Sequence, residues 1–220
     1  METVYKLTDK DSKTRPGYSN ETKWAEGVTH TAPGAGDMCG PGWLHAYTDP
    51  LLAVLINPAH GAYEESSMLL WECAADVGIR NLDKIGCSKI ITIKRIDLPK
   101  ISTTQCIAFA VLVAKTVCKD AKFQKWANAW LDGSDRTEAA AEAARAVEAA
   151  RAVEAARAAA GGAATRAARA AAGWAVEAAR AARAAEAAAW VVTWAVAWAA
   201  ATTDDDIDLI GIAKEAMKYS

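Results

Sequence analysis

The sequence predicts an α+β fold: a small N-terminal sheet domain with a packing helix, then an all-α, alanine-rich helical hairpin and a short terminal helix. Three observations carry this reading. Apolar residues before residue 100 fall in short runs, several with a period of two. A capped helical pattern covers residues 103–132. Composition then changes abruptly near residue 133, from a Lys-rich mixture to one that is more than half alanine with arginine as its base. The expected domains are therefore 1–133 and 134–220.

The elements follow in order. Val4 to Leu7 reads as a short strand. A loop-rich stretch follows, punctuated by Pro16-Gly17, Pro33-Gly34 and Gly40-Pro41-Gly42. Trp43 to Tyr47 alternates like a strand. Thr48-Asp49-Pro50 has the residue types of a helix start, with a side-chain cap followed by proline in the first turn. Leu51 to Ile56 forms the helix, and Asn57-Pro58 ends it, because proline pushes the preceding residue out of the α region. Met68–Ala74 and Ile90–Ile96 read as strands. In the second, Ile91, Ile93 and Arg95 are expected on one face, with Ile90, Thr92, Lys94 and Ile96 on the other.

Ser102 and Gln105 form a capping box for one helix over 103–132, whose apolar stripe includes Ile107, Val111 and Ala114. Gly133 supplies its stop. The next helix opens at Ser134-Asp135. From Glu142 to Arg157 charges alternate in sign every three residues. That spacing lags the 3.6-residue turn, so no wide apolar face forms and alanine's intrinsic propensity holds the helix. Gly161-Gly162 separates it from a second helix over about 163–201, which suggests an antiparallel hairpin. Alanines bury little area, so this hairpin needs a neighbour. Trp190, Trp194 and Trp198 recur every four residues, with Trp174 earlier, and are expected to form its packing or oligomer interface. Asp204-Asp205-Asp206 suits the start of a last helix.

Charge and composition bound the function. The chain has 220 residues and a formal net charge of −2, with basic and acidic residues balanced on both sides of residue 133. Nucleic acid is therefore not expected as a partner. Five cysteines without a close pair suit free thiols in a reducing cytoplasm. The polar N-terminus lacks a secretory signal pattern. The longest uncharged run, Ala187–Thr203, falls short of the ~20 apolar residues that a membrane span needs.

Candidate chemistry is sparse. No phosphate-binding loop, nucleophile elbow or dinucleotide fingerprint occurs. His30, His45, His60 and Cys39 offer zinc-ligand types at spacings that match no structural zinc motif, so neither metal nor cofactor is expected. The best candidate ligand-binding residues are Trp43, His45 and Tyr47, on a strand entering a helix, and Glu72, the one carboxylate within its strand's core. Glu72 would serve as a general base if it shared a cleft with His45.

Tyr5-Lys6-Leu7-Thr8-Asp9, Gly42-Trp43-Leu44-His45, Asp49-Pro50-Leu51-Leu52-Ala53-Val54-Leu55 and Leu70-Trp71-Glu72 resemble an uncharacterised family of phage-encoded proteins. Its members join a Gly-x-Leu-His domain to variable tails of Ala, Trp, Arg and Glu. The resemblance implies the setting of an infected bacterial cytoplasm. The missing catalytic constellation, with a helical module short of its own core, suggests a non-enzymatic accessory protein that blunts a host defence. Such a protein would bind a host protein or a nucleotide signal and self-associate through its Ala/Trp helices. A fainter similarity links the strand carrying His45 to ADP-ribosyltransferases, which implies NAD-dependent transfer through His45 and Glu72. The late strand glutamate of those enzymes has no counterpart here. A structural part of the virion is the third reading.

Overall fold

A computed structural model describes residues 1–117, 121–136 and 207–220. The chain divides into two compact units, Met1–Lys100 and Ile101–Ser220. The first is an antiparallel sheet with two short helices and the second is helical where described, so the α+β expectation holds at that level.

The first unit is built around a long hairpin, β6 (Leu69–Arg80) and β7 (Ile85–Ile96). β1 (Glu2–Thr8) pairs with the outer edge of β6. β4 (Thr29–Thr31) and β5 (Leu44–Ala46) share the free edge of β7, β5 opposite residues 85–87 and β4 opposite residues 89–91. A separate two-stranded ribbon, β2 (Lys13–Thr14) and β3 (Thr22–Lys23), lies between β1 and β4 in sequence. Just past β5, Tyr47 exchanges two backbone hydrogen bonds with Tyr5, at 2.8 and 2.9 Å. The sheet therefore curls until β5 meets the free side of β1, which covers an edge that would otherwise be exposed. Val4, Ala46, Cys73, Ala75, Ile85, Cys87 and Ile90 fill the interior, with Trp24 from the loop after β3.

Strand parity now places a charge inside. Val4 faces Cys73 across the β1–β6 pair, and Lys6 faces Trp71 two residues further on. Side chains two apart share a face, so Lys6 points the same way as buried Val4. Thr8 is on that face too and its hydroxyl accepts from the Trp71 indole at 3.1 Å.

Both long strands exceed the predicted spans. The polar and glycine residues Asp76, Gly78 and Gly86 hide the extension from an apolar-run reading, although all three pair in the ladder or lie between paired residues. The predicted alternation in β7 holds through Thr92 and then breaks. Cys73 pairs with Thr92 but Glu72 with Lys94, so Ile93 is an extra, bulged residue and is 44% exposed. Lys94 consequently shares the Glu72 face rather than that of Thr92.

α1 (Pro50–Leu55) starts as expected: the Asp49 carboxylate accepts the Leu51 N–H at 2.8 Å and Pro50 sits in the first turn. Asn57-Pro58 does end it, but a further turn, α2 (Asn57–His60), follows at once. Proline is tolerated in that first turn because its missing N–H has no helical partner there. The Asn57 side chain bonds both the carbonyl and the N–H of Tyr63, at 2.8 and 3.1 Å, and clamps the loop after α2.

In the second unit, α3 (Thr103–Val117) opens on the predicted capping box. Gln105 Oε1 accepts the Ser102 N–H at 2.8 Å, and Ser102 Oγ accepts the Gln105 N–H at 3.2 Å. The single helix expected over 103–132 is corrected to two, α3 and α4 (Ala121–Leu131). Lys115 Nζ donates to Asn128 Oδ1 at 2.6 Å and Gln124 Nε2 to the Lys115 carbonyl at 3.0 Å. Thirteen residues of straight helix would span about 20 Å, so the chain has turned back. Gly133 ends α4 with φ of +78°. The terminal helix, α5 (Leu209–Ala216), is capped by Asp208 and packs Leu209, Ala213 and Ala216 inward, with α3 as a neighbour.

α3 and α4 thus belong with α5, and the compositional step near residue 133 lies inside the second unit rather than between units. The alanine-rich hairpin, Asp204–Asp206 and the row Trp174, Trp190, Trp194 and Trp198 lie outside the described residues.

Candidate functional site

The first unit contains a cleft of about 410 Å³, a size typical of small-molecule sites. β1 contributes Lys6, the ribbon loop Arg15, β5 and its flanks Trp43, His45 and Tyr47, α2 His60, and the hairpin turn Lys84. Among the described residues, three cations and no carboxylate line this cleft.

Lys6 comes from the interior face of β1. Its ammonium donates to the His45 carbonyl at 2.5 Å and stands 5.0 Å from the centre of the Trp24 ring. Burial draws its pKa down to about 8, and the Arg15 charge acts in the same direction. The nearby thiols Cys73 and Cys87 supply no counter-charge at neutral pH, because burial pushes each up to about 11. Arg15 carries a left-handed backbone, φ +52°, which costs a non-glycine residue about 1–2 kcal/mol. Strain of this kind gathers where a side chain must be aimed. None of Lys6, Arg15 and Lys84 joins an ion pair among the described residues.

His45 is anchored. Its Nε2 meets the Met38 carbonyl, so that nitrogen carries the proton and donates. Burial lowers the pKa of the ring, and Lys6, Lys84 and Arg15 each oppose a second proton. All three cations line the same cleft as this imidazole. Trp43 has a holding role: its indole donates to the Gly36 carbonyl at 2.9 Å. Its ring also lies over two glycines of the hairpin. A Cβ at Gly78 would come within 2.4 Å of the ring, and one at Gly86 within 3.0 Å.

Tyr47, His60 and Asp83 form a series. His60 Nε2 is 2.9 Å from Asp83 Oδ2 and Nδ1 is 3.0 Å from the Tyr47 hydroxyl. With Nε2–H donating to the carboxylate, Nδ1 accepts from the Tyr47 O–H. The rings stack with centres 5.8 Å apart. Burial raises the Tyr47 pKa well above an ordinary phenol. At Asp83 burial pushes upward, but the His60 hydrogen bond, the Lys84 charge and a backbone hydrogen bond together leave the carboxyl below its usual value. The series ties α2 to the hairpin turn and fixes Tyr47 in the cleft wall.

The structure therefore brings Trp43, His45 and Tyr47 to one cleft but not Glu72. Glu72 pairs in register with Tyr5, on the face of β1 opposite Lys6, and lies 3.7 Å from Lys94. It is no candidate for a base beside His45. Lys6, Arg15, Lys84 and the partnership of His60 with Asp83 escaped the sequence reading. Only Lys6 carried a signal there, a charge at the parity of buried Val4. The three histidines are spread over separate contacts, His30 on the Lys23 carbonyl, and no metal-ligating cluster occurs among the described residues. No helix among them is long and apolar enough to cross a membrane.

Comparison with protein-family models, curated proteins and solved structures finds no match.

Proposed function

We propose that the N-terminal unit binds a small anion of nucleotide type, and that the protein is a phage-encoded accessory factor that sequesters such a signal in the host. One observation carries the reading: three cations without carboxylate partners converge on a cleft that also offers aromatic walls. Unpaired cations cost free energy in a protein wall, and an anionic ligand would repay that cost with charge-assisted hydrogen bonds. Trp43 and Tyr63, which line the cleft and are partly exposed, suit the planar part of such a ligand. NAD transfer through His45 and Glu72 lacks its second residue in the cleft and is not carried forward. The virion reading rests on the alanine-rich helices alone. We propose for those helices a hairpin that associates with a second copy through the tryptophan row. Light scattering on the full chain is expected to give a mass above that of one chain, and a clean monomer would remove this part.

The binding claim is tested by calorimetric titration with inorganic phosphate, a nucleoside monophosphate and a cyclic dinucleotide. Binding is expected to weaken about tenfold or more in Arg15→Ala and in Lys84→Ala, the usual scale for one charge-assisted contact, and to weaken with salt. Equal affinity in the variants, or no heat with any probe, contradicts it.

A further inference from the structure

We propose that Lys6 is a carbonyl-reactive amine, and that the ligand class of the cleft includes phosphate-bearing aldehydes and ketones, the open-chain form of a phosphorylated reducing sugar among them. The inference rests on the anion-binding reading above for the phosphate and on the setting of Lys6 for the carbonyl.

That setting is unusual for a lysine. The side chain starts from the interior face of β1, between Val4 and Thr8, both fully buried. Its nitrogen reaches the cleft with one carbonyl acceptor, the His45 main chain, and an indole ring beside it. Arg15 and Lys84 line the same cleft and no carboxylate does, among the described residues. A lysine that served only as a structural cation would be expected to have an anion beside it, and the thiols nearby are protonated at neutral pH. Desolvation and neighbouring cations are the two devices that turn lysine into a nucleophile. The lowered pKa of Lys6 agrees with this geometry and leaves a usable fraction of free base near neutral pH.

The step balances without a redox partner. The Nζ lone pair adds to the carbonyl carbon, and proton transfer from nitrogen to oxygen gives a carbinolamine. Its hydroxyl leaves as water as the C=N bond forms, so amine and carbonyl become imine and water. Arg15 and Lys84 are the groups on hand for the phosphate.

The test treats the full chain with pyridoxal 5′-phosphate, an anionic aldehyde, then with borohydride, and maps the adducts by peptide mass. A second arm uses a neutral aldehyde, propanal, with cyanoborohydride at pH 7. Lys6 is expected to react about tenfold or more faster than exposed Lys10 in both arms. Pyrophosphate is expected to protect it in the first arm, and Lys6→Arg to abolish the adduct. Adducts spread evenly over the lysines, or absent from Lys6 in both arms, overturn the proposal and leave anion binding standing. Selective labelling that pyrophosphate does not diminish supports the reactive amine and removes the anion reading instead.

Discussion

Lys6 is where position in the fold and proposed function meet. Burial lowers its pKa to about 8 from an ordinary 10.5. Below pH 8 the folded and unfolded chains both carry the proton, and the cost of burying the charge is borne in full. Between about 8 and 10.5 the unfolded chain keeps a proton that the folded chain has released, so stability rises with pH across that window. Lys6→Met keeps the stem and removes the charge. It is expected to be more stable than the parent at pH 7 by about 1–2 kcal/mol, to lose the rise above pH 8, and to lose anion binding. Urea titrations at pH 7 and pH 9.5 check this, and a variant less stable at pH 7 would mean that the charge is structural. The sequence showed Lys6 only as part of an apolar strand. Its partners, Arg15, Trp24 and Lys84, come from turns and loops up to 78 residues away along the chain, and no local pattern announces such convergence.

At the scale of elements, what was legible is what local chemistry dictates. The Asp49 cap, the Ser102–Gln105 box and the Gly133 stop all stand as read, because each is settled by a few adjacent residues. The ends of β6 and β7 were not, since Gly78 makes room for Trp43, a side chain from the residue before β5, and Gly86 for Ile79 and Trp43. Gly78→Ala tests that dependence. Its Cβ would stand 2.4 Å from a ring that has Gly86 beside it and a hydrogen bond to Gly36 to hold it. The ring must shift, at a cost of about 1–3 kcal/mol, and the indole emission with it. Thermal melting and fluorescence indistinguishable from the parent would show that Trp43 is not seated there. The split of the predicted 103–132 helix has a similar cause: helical spacing runs on along the sequence, and the bonds from Lys115 to Asn128 and from Gln124 to Lys115 reveal the reversal.

At the scale of the whole molecule, composition suggested a border near residue 133 and contacts place one near residue 100. Composition marks where alanine begins, not where packing changes, and α3 packs with both α4 and α5 although its sequence resembles the residues before it. The described residues that line the cleft all fall between residues 6 and 84, within the first unit. The proposed ligand binding accordingly belongs to the first unit, and the proposed self-association to the second.

The claim that the cleft receives an anion is tested most directly by amide chemical-shift mapping of the full chain during titration with adenosine monophosphate. Saturable shifts are expected, concentrated at Lys6, Arg15, His45 and Lys84 and at the Trp24 indole N–H. A folded chain whose shifts stay unmoved there, or move only at residues outside the cleft, would contradict it.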